Sequence, residues 1–444
     1  MVLLLYRIAA ECALWVARAG RPVWPERWRV TERLDVSAPA GSARDAGGHE
    51  GGGRNGRAAN TIWLHAASLG ECKGLRALVE TFPDTLVRDR MVLLTCNTRA
   101  GLSELQAFAA TRKTLRVRAR LAPLDHPRLA RRFIEAHDVG ALVLYELELW
   151  PHWIDAARAA GVPVLWVSAR FAARSRRRYA GGPLRRAALR RVLQGIAWTQ
   201  TQTEADAAAL TALGCGPCET GSDLKGLALR ADDPATADDA PACGIAFVSF
   251  HADELPALLR AVAAVAARAP ETPLWVFPRR ADDPAACAAF ASALSPHGFT
   301  LGAPDAGSRV VVDRFGAVES ALRRAHAAVI GGSFADHGGH NLWEPLRAGT
   351  RMFIGPFHAA QEPLARPLAA RGLLTIARNA DELAAGLASI AARGCEADGD
   401  AAAAHRSACN AFLRDARANA ENAARAAGRR LESVLRKHRT QQMP

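Results

Sequence analysis

Apolar residues fall into two alternating series along this chain. Short runs of about five apolar residues, strand-like in length, recur between longer stretches whose apolar positions repeat at i, i+3, i+4 and i+7. The first series has strand-like runs at Ile62–Ala66, Val92–Thr95, Ala141–Tyr145, Val162–Val167 and Ala197–Gln200. Helical stretches lie between them. In Glu71–Phe82, Leu75, Leu78, Val79 and Phe82 share one face, and His126–His137 and Glu204–Leu213 are further helical stretches. The second series has runs at Ile245–Ser249, Leu274–Phe277, Val310–Val312, Ala327–Ile330, Met352–Ile354 and Leu374–Ile376. A single Ala/Arg-rich helical pattern then fills Ala401–His438. Strand–helix alternation of this kind predicts parallel sheets with helices on both faces. Two such series predict two doubly wound α/β domains, with ligands at the carboxyl ends of the strands and an active site in an inter-domain cleft.

Two segments interrupt the alternation. Residues 37–60, SAPAGSARDAGGHEGGGRNGRAAN, are poor in apolar side chains and rich in glycine, which predicts a flexible loop. Residues 231–242, ADDPATADDAPA, have the acidic, proline-containing composition of a domain linker. The expected layout is an N-terminal amphipathic segment over 1–35, a loop over 36–60 and a first domain over 61–228. A linker over 229–242, a second domain over 243–400 and a terminal helix over 401–444 complete it. Within the first segment, Leu3, Leu4, Ile8, Leu14 and Trp15 can share a helix face with Arg7 and Arg18 near its edges. That fits either a helix lying on a membrane surface or one packed on its own domain. Arg7 and Glu11 interrupt the apolar run, which falls short of the roughly 20 clean residues a span needs.

Composition narrows the partners. The 444 residues carry a net charge of +13, from 57 Lys+Arg against 44 Asp+Glu, and nearly all the positive charge is arginine. Such a balance attracts anions, whether phosphorylated substrates or anionic lipid. Nucleic acid is not expected, because aromatics are only 6% and no basic patch interleaves them. Nine cysteines at irregular positions do not form a disulfide framework, and a reducing cytoplasm fits them better. Cys215-Gly-Pro-Cys218 has the spacing of a redox pair but follows a helix rather than opening one. No His/Cys set has zinc spacing and no Walker-type phosphate loop occurs, so no metal is expected.

Four stretches carry candidate chemistry. Gly331–Pro345, GGSFADHGGHNLWEP, joins a strand to a short helix through a glycine-rich turn. Such a turn presents backbone N–H groups to an anion, and His340, Asn341 and Glu344 have the spacing to share a helix face. His65–Glu71, HAASLGE, ends the first strand. Gly70 permits a tight turn there, and Glu71 stands in the first turn of a helix, placed to act as a general base. Ser68 and Glu71 also have the S-x-x-E spacing of a capping box. Glu146-Leu-Glu148 ends another strand, where alternation puts both carboxylates on one side. The helix that follows is expected from about Trp153. Arg170 and Arg174, with Arg176–Arg178 beyond, have the chemistry to meet phosphate or carboxylate bidentately.

Taken in order, these stretches resemble the 3-deoxy-D-manno-octulosonic acid (Kdo) transferases of lipid A and lipopolysaccharide assembly. The resemblance runs through Trp63–Glu71, Glu146–Pro151, Ser168–Arg170 with Arg174, Gly221–Lys225, Pro278-Arg279, Asp313 with Gly316, Gly331–Ser333, Gly338–Asn341 with Glu344, and Gly355-Pro356. It implies a GT-B glycosyltransferase of two Rossmann-like domains whose C-terminal helix returns to the first. It implies inverting, metal-independent transfer from CMP-Kdo, with no other cofactor, to a phosphorylated glucosamine-disaccharide lipid A precursor. The setting it implies is the cytoplasmic face of the inner membrane. Carried over residue by residue, Glu71 matches the catalytic base. Ser68, Gly70, Glu146, Glu148, Arg170 and Arg174 match the acceptor side. Lys225, Ser249, Pro278, Arg279, Gly316, Gly332, Ser333, Gly339, His340, Asn341 and Glu344 match the side holding the CMP-sugar. The chain departs from the family at Ser249-Phe-His-Ala-Asp-Glu254, where the family carries S-T-x-x-G-E-E, and at Gly221–Gly226 and Arg280. Two other readings are a GT-B transferase or epimerase for a different nucleotide sugar, and an inactive basic binding module.

Overall fold

The structure, a computed structural model, describes residues 6, 10–11, 30–37, 60–112, 114–171, 182–228, 244–304, 309–314, 316–393 and 399–442. Arg174 and Arg176–Arg178, the 231–242 linker, nearly all of the glycine-rich loop and most of the N-terminal segment lie outside these residues. The chain divides into two compact units, one comprising 1–228 with 416–444 and the other 229–415.

The first unit is built on a seven-stranded parallel sheet. Its strands are β1 (Thr61–His65), β2 (Met91–Cys96), β3 (Arg116–Leu121), β4 (Val139–Tyr145), β5 (Val164–Ala169), β6 (Trp198–Thr201) and β7 (Cys218–Thr220), in spatial order 3-2-1-4-5-6-7. Every residue of β1 and β4 is buried. Burial on both faces explains why these strands read as continuous apolar runs rather than alternating ones. On one face, Leu75, Leu78 and Val79 of helix Leu69–Glu80 join Ala423, Ala424, Ala427, Leu431 and Leu435 of the terminal helix Gly399–Gln442 in one core. On the other, Trp63, Phe133 and Trp153 form an aromatic cluster beneath helices Pro127–Ala136 and Pro151–Ala159. Tyr6, in the N-terminal segment, stacks on His152 with ring centroids 5.0 Å apart and donates its hydroxyl to Asp125.

The second unit repeats the plan with β8 (Gly244–Phe250), β9 (Leu274–Pro278), β10 (Thr300–Gly302), β11 (Arg309–Val312), β12 (Ala325–Ile330), β13 (Arg351–Ile354) and β14 (Leu374–Ile376). These form another all-parallel sheet in the order 10-11-9-8-12-13-14. The strand order reverses between β1 and β4 in the first unit and between β8 and β12 in the second. Ligands of open α/β sheets bind at such switch points, outside the carboxyl ends of the strands. The apolar pattern names no strand at β3, β7 or β10, and all three are sheet edges. β3 reads RVRARL with only its last residue buried. Charged side chains on an edge strand protect it from further pairing and erase the apolar run.

Candidate active site

In the first unit the switch point carries the acidic residues. Ser68 caps helix Leu69–Glu80 in a capping box with Glu71. Glu71 Oε2 accepts the Ala67 N–H at 2.7 Å and the Ser68 N–H at 3.0 Å. Glu71 Oε1 takes no hydrogen bond from the described residues, so one oxygen is held and the other is open. Burial raises the Glu71 pKa, and the neighbouring Glu146 carboxylate raises it further. The expectation that Gly70 makes a tight turn is corrected. Gly70 lies within the helix with ordinary backbone, and a Cβ there would meet no atom within 4 Å.

Glu146 and Glu148 do not lie along one strand face. β4 ends at Tyr145, and Glu146 turns left-handed with φ 60°, which separates the two carboxylates. Glu146 is 3% exposed and both its oxygens face Lys225 Nζ, at 2.9 and 2.8 Å. Burial opposes the Lys225 charge, but Glu146 and Asp223 outweigh it and hold its pKa above the ordinary value. Lys225, expected beside the donor, therefore belongs to the first unit and neutralises a buried carboxylate. Glu148 Oε2 accepts the Trp150 indole N–H at 2.7 Å and lies 3.2 Å from His65 Nε2. The other ring nitrogen of His65 is 2.9 Å from Thr95 Oγ1. Burial pushes the fully enclosed His65 toward its neutral form, against the pull of Glu148. A neutral ring with its proton on Nε2 satisfies both partners, donating to Glu148 and accepting from the threonine hydroxyl. Arg170 stands at the end of β5 and donates its backbone N–H to Glu146 O.

In the second unit, the expectation of an anion-binding glycine turn is corrected. The backbone N–H groups of Gly332, Ser333 and Phe334 are not free. They donate to the carboxylate of Glu254 at 2.7, 3.0 and 2.9 Å. Glu254 is 1% exposed and also accepts the His251 N–H at 2.9 Å. An internal carboxylate thus occupies the nest of amides that a ligand anion would otherwise use. Ser333 is likewise spent on backbone, its hydroxyl accepting from the Gly355 N–H at 2.8 Å and bonding the Ile330 carbonyl. The helix after the turn is only Trp343–Arg347, so His340 and Asn341 precede it and share no helix face with the exposed Glu344. Asn341 Oδ1 instead accepts the Trp343 N–H at 3.1 Å, just ahead of it.

What the turn does present is imidazole. His337, His251 and His340 stack in near-parallel planes, with centroids 3.9 Å apart for the first pair and 5.0 Å for the second. His251 Nε2 and His340 Nε2 are 2.8 Å apart, and His337 Nε2 is 2.9 Å from Asp253. Gly332 (φ +68°) makes room for this stack, because a Cβ there would lie 2.7 Å from the His340 ring. Arg279, exposed just past Pro278 at the end of β9, contributes positive potential to both His251 and His340. Ser249 (φ 60°) sits at a register shift in β8, and Gly316 and Gly339 have φ +86° and +80°. No motif spacing in the sequence marks His251, His337 or Glu254 as site residues. The one sequence signal there is the departure from the family pattern at Ser249–Glu254.

Two parallel α/β units, each with polar residues gathered at its switch point, define the class of a GT-B glycosyltransferase. The fold matches Anabaena HepE in complex with UDP and glucose, at a TM-score of 0.55 with 12% identity, covering 84% of this chain and 100% of that one. It also matches a UDP-GlcNAc 2-epimerase from Neisseria meningitidis, at 0.54 with 10% identity, covering 85% and 100%. Sequence carries the assignment further. The family model for 3-deoxy-D-manno-octulosonic-acid transferase matches residues 26–226. A 3-deoxy-D-manno-octulosonic acid transferase of Bordetella pertussis is 32% identical over 370 residues, 79% of this chain and 83% of that protein. One from Aquifex aeolicus is 26% identical over 306 residues, covering 67% and 76%. The chain belongs to the Kdo transferase family.

Proposed function

We propose that the protein moves Kdo from CMP-Kdo to a phosphorylated glucosamine-disaccharide lipid A precursor, with inversion and with Glu71 as general base. The observation that carries this reading is the state of Glu71. One oxygen is fixed by two backbone N–H groups, the other is open, and burial beside Glu146 raises its proton affinity. A base works best when its pKa approaches the operating pH, and both influences move Glu71 in that direction. In the reaction the open oxygen takes the proton of the acceptor hydroxyl. That hydroxyl oxygen bonds the anomeric carbon of Kdo, and the carbon–phosphate-oxygen bond breaks with its electron pair leaving on CMP. Attack opposite the departing CMP inverts the anomeric centre. Arg279 and the histidine stack supply positive charge and N–H donors for the phosphate, a role that in this reading needs no divalent ion.

The acceptor is a membrane lipid, and the chain's net charge of +13 favours an anionic surface. Among the described residues no helix is long and apolar enough to cross a membrane. We place its action at the cytoplasmic face of the inner membrane because the proposed acceptor is a membrane lipid. The test is Glu71→Gln. The amide oxygen can still accept the two backbone N–H groups, so the cap survives while the base is lost. We expect transfer to fall at least 100-fold while CMP-Kdo binding, measured by calorimetry, is kept. Unchanged turnover rejects the assignment of the base.

A further inference from the structure

Glu71 is not the only carboxylate at the first unit's switch point with one oxygen held and one open. Glu148 Oε2 accepts the Trp150 indole N–H at 2.7 Å and faces His65 Nε2 at 3.2 Å. Its Oε1 takes no hydrogen bond from the described residues, and its side chain is 13% exposed. An ionised carboxylate only accepts, so the proton between the two groups belongs to His65 Nε2. The Thr95 hydroxyl completes that arrangement. It accepts the Trp63 indole N–H at 2.8 Å and keeps its own proton to donate. His65 Nδ1 is 2.9 Å from it, while the Leu64 carbonyl is farther, at 3.3 Å. The imidazole is fully buried and lies edge-on to Trp153 and Trp150, with centroids 4.8 and 6.2 Å away. Trp63, Thr95 and His65 thus form an internal chain of hydrogen bonds that ends on Glu148.

We propose that His65 is a positioning residue for the acceptor: with Trp150 it pins Glu148 Oε2, so that Oε1 is left to accept a further N–H or O–H of the acceptor sugar. This rests on the reading above that the attacking hydroxyl of that sugar meets Glu71. β1, which ends in His65, pairs with β4, whose end leads into Glu148, and Glu71 stands in the first turn of the helix after β1. The two carboxylates are near enough that the charge of Glu148 adds to the proton affinity of Glu71, after burial and Glu146. A sugar bonded at one carboxylate has its attacking hydroxyl oriented at the other, and such orientation lowers the barrier to reaction. The imidazole suits this task because it stays neutral. Burial lowers its pKa, against the pull of Glu148, and Arg33 adds to the lowering. A neutral donor holds Glu148 in place without cancelling its charge, so the open oxygen stays a strong, charge-assisted acceptor.

The test compares two amide replacements in the full-length protein. In His65→Gln the amide nitrogen can take the place of Nε2 and donate to Glu148. In His65→Asn it stops near the place of Nδ1, which keeps a polar partner for Thr95 and leaves Glu148 without its donor. We expect His65→Asn to raise the KM for the acceptor about tenfold with the KM for CMP-Kdo unchanged, and His65→Gln to stay within about twofold of native. Equal losses in the two variants, or a CMP-Kdo KM that rises as much as the acceptor's, overturn the proposal. Glu148→Gln decides the matter even where a β1 variant does not fold. Its amide oxygen can accept from His65 and Trp150, which turns the open position from an acceptor into an NH2 donor, so the acceptor KM should again rise about tenfold. If that KM is untouched while Glu71→Gln abolishes transfer, the base stands and this proposal alone falls. Normal turnover in Glu71→Gln removes the acceptor from this site, and the proposal then falls together with that reading.

Discussion

Glu71 illustrates a single side chain whose catalytic use conflicts with its structural use. Its pKa is raised, so the folded state keeps the proton to a higher pH than the unfolded chain does. The sign follows from linkage. As pH climbs from the ordinary carboxylate range through the folded pKa, ionising Glu71 costs stability, and above that the cost is complete. Glu71→Gln, inactive for transfer, is therefore expected to melt no lower than the native protein at pH 7.5 and to match it near pH 4. A large loss of Tm at pH 7.5 contradicts the raised pKa. Activity has the complementary signature, because the acid limb of kcat/KM reports the base in the free enzyme. Glu146→Gln removes the neighbouring negative charge that raises the Glu71 pKa, so that pKa falls. The acid limb should move to lower pH, and a limb that stays put removes Glu146 from the account. Glu254 is the opposite kind of carboxylate, wholly structural. Each of its oxygens accepts two backbone N–H groups. An amide nitrogen accepts none, so Glu254→Gln strands two buried donors at roughly 2–6 kcal/mol. Denaturant unfolding reads that loss directly.

Among the elements, buried parallel strands are the most legible. β1, β4, β8 and β12 are enclosed on both sides, so each announces itself as an apolar run. The edges are not legible in this way. β3 alternates arginine, and β7 and β10 are three residues each. The glycine turn after β12 is visible as a turn, yet its occupant is not. Glu254 lies 78 residues before Gly332, and nothing in local spacing links them. The Glu146/Glu148 separation was hidden for a related reason, since alternation presumes a strand that continues, and this one stops at Tyr145. Left-handed backbone at Glu146, Ser168 and Ser249 clusters at these strand ends. Such conformations cost about 1–2 kcal/mol for a residue with a Cβ. Ser249→Gly removes that cost against an entropic penalty of about 0.5–1 kcal/mol. We expect a net gain of about 0.5 kcal/mol in urea unfolding, and a loss shows that the serine side chain has another role.

At the scale of the whole chain, the terminal helix is the element most separated in sequence from what it stabilises. Its residues from Ala416 onward belong to the first unit, more than 300 residues after the β1 to β2 segment they cover. Ala420, Ala424, Ala427 and Leu431 are buried at three-, four- and seven-residue spacings, which is one helix face. Small residues bring that face close. A Cβ on Gly226 would lie 2.9 Å from the Ala416 carbonyl oxygen, and Gln200 donates to the Ala423 carbonyl at 3.0 Å. The helix therefore completes the core against helix Leu69–Glu80, the helix that holds Glu71. Leu431 is 1% exposed. Leu431→Ala is expected to cost about 2–5 kcal/mol. The loss should appear in hydrogen exchange as faster opening of Leu69–Glu80 and β1, with the second-unit strands β8 and β12 unchanged. Because Glu71 sits in the first turn of that helix, transfer should decline as the helix loosens, while CMP-Kdo affinity holds. Equal loss of protection in both units shows instead that the helix stabilises the molecule as one cooperative block.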